Sequence, residues 1–314
     1  FYEIEKGLSQ YGIEPLDSYV VDDGWNNYDA DFWSFNSKFP NELYDSKEQA
    51  QNFGSNFGLW LGPRGGYNYN YKFGKQMEAA GTGGFNPSSG DICVGDHNYV
   101  ENITNLFLDY MNRFDINYWK IDGNVSHPCP VKTHGHVTGG ENGMYMLTET
   151  WESWIDIFAK MREFNPDVFI NLTCYVNPSP WFLQWVNTVW LQNSQDVGFT
   201  GGSVDGSMMD AMITYRDGRY YDFYESRELQ FPAANIYNHD PINGNTNKVN
   251  GQTVQMNEEQ FEKYLYMIMT RGTSFWELYY SFNLMNEGKW MVNSEVLKWG
   301  EENFDILRNA KLIG

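Results

Sequence analysis

Residues Ile116–Ile121 read INYWKI, an apolar run broken by charge only at Lys120 and followed at once by Asp122. Side chains alternate across a strand, so Lys120 and Asp122 point to one face and Trp119 and Ile121 to the other. A run that is apolar on both faces suits a strand covered by helices, as parallel strands are. The same form recurs at Ser18–Asp22 (SYVVD), Phe57–Gly62 (FGLWLG), Val168–Thr173 (VFINLT), Thr188–Gln192 (TVWLQ), Ala233–Tyr237 (AANIY) and Thr273–Glu277 (TSFWE). Between these runs lie helical patterns at Ser46–Phe53, Tyr99–Phe114, Tyr145–Phe164 and Glu258–Met269. In Tyr145–Phe164 the residues Met146, Trp151, Trp154, Ile155, Ile157, Phe158 and Met161 gather on one helical side.

Strands alternating with helices predict an α/β fold with a parallel sheet, and this many units predict closure into a (β/α)8 TIM-type barrel. An open doubly wound sheet calls for a Gly-rich phosphate loop after a strand, and none follows these runs. Seven strand-like runs are present where a barrel needs eight. Phe1–Gly12 reads as a helix leading into Ser18–Asp22, so the first strand is expected outside this chain. With no Pro/Ser-rich linker or charge block, residues 1–314 are expected to form one catalytic domain, a fragment of a longer protein.

The 41 acidic residues outweigh 21 basic ones, giving a formal net charge of −20. That field repels nucleic acid and anionic membranes, and favours a neutral substrate. No apolar run is long enough to span a bilayer. Aromatic residues reach 18%, more than one core needs; Trp and Tyr rings also suit the flat apolar faces of sugars. Cys93, Cys129 and Cys174 make no disulfide framework. Sequons begin at Asn102, Asn124 and Asn171.

In barrels of this kind function gathers at the carboxyl ends of the strands. Those ends carry Asp22-Asp23-Gly24-Trp25, Trp60, Lys120 with Asp122, Cys174, Asp196, Asn238-His239 and Trp276-Glu277. Recurrent carboxylates beside Trp and Lys are what glycoside hydrolysis needs: two carboxyls flanking the bond, and polar groups holding hydroxyls.

These residues carry a resemblance. Val20-Val21-Asp22-Asp23-Gly24-Trp25 is similar to the second-strand motif of clan D glycosidases, the α-galactosidases and α-N-acetylgalactosaminidases of glycoside hydrolase families 27 and 36. Phe57-Gly58-Leu59-Trp60 resembles the third-strand motif of family 36. Tyr118-Trp119-Lys120-Ile121-Asp122 resembles the fourth-strand Lys-x-Asp, whose Asp is the nucleophile. Ser194-Gln195-Asp196 resembles the segment with the acid/base Asp, and Phe231-Pro232-Ala233-Ala234 through Asn238-His239 is similar to a further family 36 stretch. One register sets Gln195 where family 36 has an acidic residue; only Asp196 can transfer a proton there, and its Ser-x-Asp spacing is that of family 27. Two features depart from the pattern: Tyr175-Val176-Asn177-Pro178 follows Cys174 in place of a Gly-rich segment, and no Arg stands near Gly90–Asp96.

The resemblance implies a retaining exo-α-glycosidase acting on terminal galactose or N-acetylgalactosamine of an oligosaccharide or glycoconjugate. Asp122 would be the nucleophile and Asp196 the general acid/base. Asp22, Asp23, Trp25, Trp60, Lys120, Cys174 and His239 would bind substrate. Lys120 would keep Asp122 ionised and hold a hydroxyl, or else form an inward ion pair; His239 would touch sugar or cap a strand. No cofactor is implied, and the remaining partners would be other domains of the same polypeptide. Cys129, His134 and His136 share a loop, but three irregularly spaced ligands make an incomplete metal set, so the loop reads as a substrate loop with no metal. Glu301 and Glu302 read as a solvated helix face. Two other functions stay open: a transglycosylase of the raffinose-synthase type, and a non-catalytic sugar-binding barrel, which would need neither an acid nor a nucleophile.

Overall fold

A computed structural model of the chain describes residues 1–173, 179–198, 207–246, 248–249, 251–273 and 275–311. Two compact units emerge: Leu16–Asn187, and Thr188–Gly314 together with Phe1–Pro15. Helix α1 (Tyr2–Ser9) opens the chain within the second of these.

The first unit runs β1 (Ser18–Val21), α2 (Tyr44–Asn52), β2 (Asn56–Leu61), α3 (Asn70–Ala80), β3 (Phe85–Asn86), β4 (Asp91–Ile92), α4 (His97–Phe114), β5 (Ile116–Asp122), α5 (Met144–Phe164) and β6 (Phe169–Thr173). Four strands pair in parallel in the order β1-β2-β5-β6, while β3 and β4 form an antiparallel hairpin. Helix α4 starts where Asp96 accepts a hydrogen bond from the Tyr99 N–H at 2.8 Å, and stops at Asp115 in the left-handed region. Its buried face covers the sheet: Phe107 meets Trp119 edge-on at 4.7 Å, and Trp154 of α5 lies 6.4 Å beyond. Trp119 and Ile121 therefore face the helices, and Lys120 and Asp122 face the other way.

The second unit continues with β7 (Thr188–Trp190), α6 (Met208–Tyr221), β8 (Ile236–Tyr237), β9 (Ile242–Asn243), β10 (Lys248–Val249), β11 (Gln252–Thr253), α7 (Glu258–Met269), β12 (Tyr279–Tyr280) and α8 (Glu287–Glu302). Strands β7 and β8 pair in parallel, as do β9 and β12. Helix α7 has the bounds read from the sequence, because Asn257 and Gln260 form a capping box at its start. Phe261, Leu265 and Ile268 pack with Val292 and Val296 of α8 in one buried cluster. Glu301 and Glu302 end α8, exposed as expected.

Two strand expectations shift. Of Ala233–Tyr237 only Ile236–Tyr237 is strand, because Ala233–Asn235 winds into a 3-10 turn behind Pro232. No strand forms over the described part of Thr273–Glu277; the Glu277 and Tyr279 N–H groups reach the Asp240 and Pro241 carbonyls, each at 3.1 Å, and the ladder with β9 starts at Tyr279. Among the described residues each unit contributes its own run of parallel strands, β1-β2-β5-β6 in the first and β7-β8 in the second. No helix among them is long and apolar enough to cross a membrane. Of the three sequons, Asn124 and Asn171 are fully buried and Asn102, on α4, is exposed.

Candidate active site

Strand register brings the first set of candidate residues together. Trp60 on β2 pairs with Lys120 on β5, so Trp60, Lys120 and Asp122 share the face turned from the helices. Lys120 is only 4% exposed, and its ammonium lies 2.7 Å from Asp22 Oδ2 just past β1. An inward ion pair, the second reading of Lys120, is thus formed with Asp22. The other Asp22 oxygen accepts from the Asp23 N–H at 2.7 Å, which fixes the carboxylate in the turn.

Asp122 ends β5 half-buried, and the Tyr67 hydroxyl donates to its Oδ2 at 2.7 Å. Tyr67 sits in the loop between β2 and α3, and its ring lies 6.4 Å from that of Trp60 in a stacked orientation. Trp60, Arg64, Tyr67, Asn70 and Asp122 line a cavity of about 220 Å³. Sites for drug-sized molecules run to roughly 300–1,000 Å³, so this space suits one ring-sized group.

Arg64 brings a guanidinium to that cavity. Its Nε lies 2.6 Å from Asp91 Oδ2, and Asp91 is 1% exposed. The sequence shows no Arg around Gly90–Asp96, yet Asp91 from that stretch is what anchors Arg64. The loop closes through Asn70, whose amide donates to the Arg64 carbonyl at 2.8 Å. It also needs Gly65, at φ 84, where a Cβ would stand 2.7 Å from Phe73.

One neighbour takes another position than expected. Trp25 is 0% exposed and donates its indole N–H to the Trp60 carbonyl at 2.9 Å, so the sugar contact expected of it is corrected to a support for β2 from the core. Asp23 is exposed and accepts a hydrogen bond from Tyr28. The residue keeps an exposed edge, yet protein packed around its carboxyl takes away part of its water and pushes it above the ordinary carboxylate range; Tyr28 opposes this, and the Asp22 and Asp122 charges add to it. Cys174 lies outside the described residues.

Asp196 and His239 belong to the second unit, where they meet. His239 Nε2 lies 3.4 Å from Asp196 Oδ1, and Nδ1 lies 2.8 Å from Glu277 Oε2. Tyr237 donates to the same Glu277 oxygen at 2.5 Å, and the Trp190 ring lies 5.1 Å from the imidazole. The two ring nitrogens of His239 thus face two carboxylates, Asp196 at Nε2 and Glu277 at Nδ1. The backbone carrying Asp196 is held by Arg216 of α6, which donates to the Asp196 carbonyl at 2.9 Å. Arg216 is itself buried against Asp240 at 3.0 Å, and Asp240 also takes Arg271 at 3.3 Å and the Tyr264 hydroxyl at 3.0 Å.

Tyr67, Arg64, Asp91, Tyr237 and Arg216 escaped the sequence reading. Only Tyr237 left a local signal, standing two residues before His239 on the same side of an extended segment.

No family profile and no curated protein matches the sequence. Solved structures do match in fold. An α-galactosidase from Lactobacillus brevis aligns at a TM-score of 0.64 and 11% identity, over 98% of this chain and 38% of that one. The family 36 α-galactosidase AgaA from Geobacillus stearothermophilus, solved in complex with stachyose, aligns at 0.62 and 13% identity, over 98% and 40%. An α-L-fucosidase from Paenibacillus thiaminolyticus aligns at 0.55 and 9% identity, over 100% and 48%. The chain thus spans less than half the length of these structures, and in fold it is similar to the family 36 α-galactosidases of clan D.

Proposed function

We propose that the chain carries the catalytic region of a retaining exo-α-glycosidase that removes terminal α-linked galactose or N-acetylgalactosamine. The observation that carries this reading is Asp122: a strand-end carboxylate on a cavity sized for one ring, walled by Trp60 and held by Tyr67. The fold likeness to family 36 α-galactosidases supports it, and the AgaA complex with stachyose gives the substrate class by analogy.

In this mechanism Asp122, ionised, attacks the anomeric carbon and the bond to the aglycone oxygen breaks, leaving a β-linked glycosyl-enzyme. Asp196 gives its proton to the departing oxygen. Water then attacks the glycosyl-enzyme, Asp196 takes its proton, and the α-configured sugar leaves with Asp122 restored. His239, braced by Glu277, can accept a hydrogen bond from the protonated Asp196 and so keep the acid aimed. Asp22, Asp23 and Arg64 are proposed to hold hydroxyls. Cys174, whose place in the motif order matches the fifth family strand, is proposed as a further contact.

The finer fold reading, an eight-stranded barrel, goes with this function. Partner domains in the same polypeptide are supported by the share of the matched structures that this chain spans. A panel of nitrophenyl glycosides with α- and β-linked galactose, N-acetylgalactosamine, glucose and α-fucose tests the reading. Turnover of an α-galactoside or α-N-acetylgalactosaminide with α-configured first product is the expected result. Turnover of β-glycosides alone, or inversion, would overturn it.

A further inference from the structure

The loop after β5 holds a second cluster of reactive side chains. Cys129, His134 and His136 come from that loop, and Cys93 joins them from the residue after β4. One donor atom from each lies within 4.8 Å of all the others. The four residues are 0%, 2%, 9% and 4% exposed for Cys93, Cys129, His134 and His136. Both cysteines are free.

The spacings match a tetrahedral ion. Zinc binds thiolate at about 2.3 Å and imidazole at about 2.0–2.1 Å, so a tetrahedral angle sets sulfur and nitrogen about 3.6 Å apart. Cys93 Sγ stands 3.4 Å from His136 Nε2, and Cys129 Sγ stands 3.3 Å from His134 Nδ1. The outer contacts fit as well. His136 turns its other nitrogen, Nδ1, to the Val137 carbonyl at 3.0 Å, the partner that fixes a ligating imidazole with Nε2 free for metal. The far side of the His134 ring lies against Gly84, where a Cβ would stand 2.1 Å from Nε2; glycine there leaves the ring its place.

We propose that Cys93, Cys129, His134 and His136 bind one zinc ion in a closed structural site. Two thiolates with two imidazoles select zinc over the oxygen-seeking magnesium and calcium, and four protein ligands leave no open position for catalysis. The role follows from what the ion ties together. Asp122 and Gly123 lead into the loop that carries three ligands, and Cys93 continues the hairpin whose Asp91 anchors Arg64. A second tie joins the same parts, since the Asn86 amide donates to the His127 carbonyl at 2.7 Å. Zinc would therefore clamp the loop that follows Asp122 to the hairpin whose Asp91 anchors Arg64. Ordering a long loop in this way is folding energy, lost when a chelator takes the metal.

The test is metal content, independent of any glycosidase activity. The full chain, purified under reducing conditions from zinc-supplemented medium, should hold one zinc per molecule by plasma mass spectrometry. Cys93→Ser and His134→Ala, checked for folding by circular dichroism, should retain roughly tenfold less zinc or lower after desalting. Exchange of wild-type protein into cobalt(II) should give the visible bands of a tetrahedral ion with sulfur-to-metal charge transfer in the near ultraviolet; this readout needs no variant to fold. Wild-type protein that is folded and reduced, yet holds no zinc and takes up no cobalt, would refute the site. So would a Cys93–Cys129 disulfide in protein isolated without reductant and never found with metal.

Discussion

Lys120 and Asp22 form a charge pair with unequal burial, and this asymmetry can be measured. The ammonium is 4% exposed and the carboxylate 31%, with 2.7 Å between them. At an effective dielectric of about 20, two unit charges at that distance attract by about 6 kcal/mol before desolvation is counted. Cutting one partner from a buried pair costs about 3–5 kcal/mol, mostly because the other charge stays buried. Lys120→Met keeps the apolar stem and leaves behind the more solvated group, so its cost falls to about 2 kcal/mol. Asp22→Asn leaves the ammonium in the interior without that carboxylate, and takes the full range of about 3–5 kcal/mol. The double variant leaves neither charge, so the two losses should fail to add by about 2 kcal/mol. Urea unfolding followed by tryptophan fluorescence, with all four proteins in one cycle, reads both quantities. If the losses add to within about 0.5 kcal/mol, or if Lys120→Met is the costlier change, Lys120 and Asp22 are not coupled as a buried pair.

Asp122→Asn should abolish turnover of every α-galactoside, since no covalent intermediate can form; full activity with a natural oligosaccharide would remove Asp122 from the mechanism. Asp196→Asn should lose most activity on oligosaccharides and less on nitrophenyl substrates, whose leaving group departs with little protonation. Added azide should partly restore it and return the α-azide, because the anion attacks a β-linked intermediate; a β-azide would exclude double displacement. Tyr67→Phe removes a hydrogen bond to a carboxylate, worth about 1.5–3 kcal/mol when shielded and less at an exposed residue. It should lower kcat/KM several-fold with unfolding unchanged, whereas unchanged kinetics would leave Tyr67 without a part in the site. Gly65→Ala meets both a positive φ and the Phe73 side chain, so a stability loss of about 1–3 kcal/mol is expected, and thermal unfolding equal to wild type would contradict the loop geometry.

The strands β1, β2, β5, β6 and β7, the helices α4, α5 and α7, and the position of Asp122 at a strand end were determined by sequence alone. Those features are local: a doubly apolar run, a helical period and a capping pair are all written within a few residues. The partners of those residues are not. Asp22 and Lys120 stand 98 positions apart, Tyr67 and Asp122 stand 55 apart, and strand order with register decides that they meet. Trp25 shows the converse, for its motif predicts a sugar contact and only packing reveals that the ring is fully buried under Trp60. The Cys129 loop is the sharpest case. Three ligands within one loop read as an incomplete set, and the β3–β4 hairpin, folded back against that loop, brings in Cys93 as the fourth. A local pattern sets what a residue offers, while tertiary structure sets which distant group it meets.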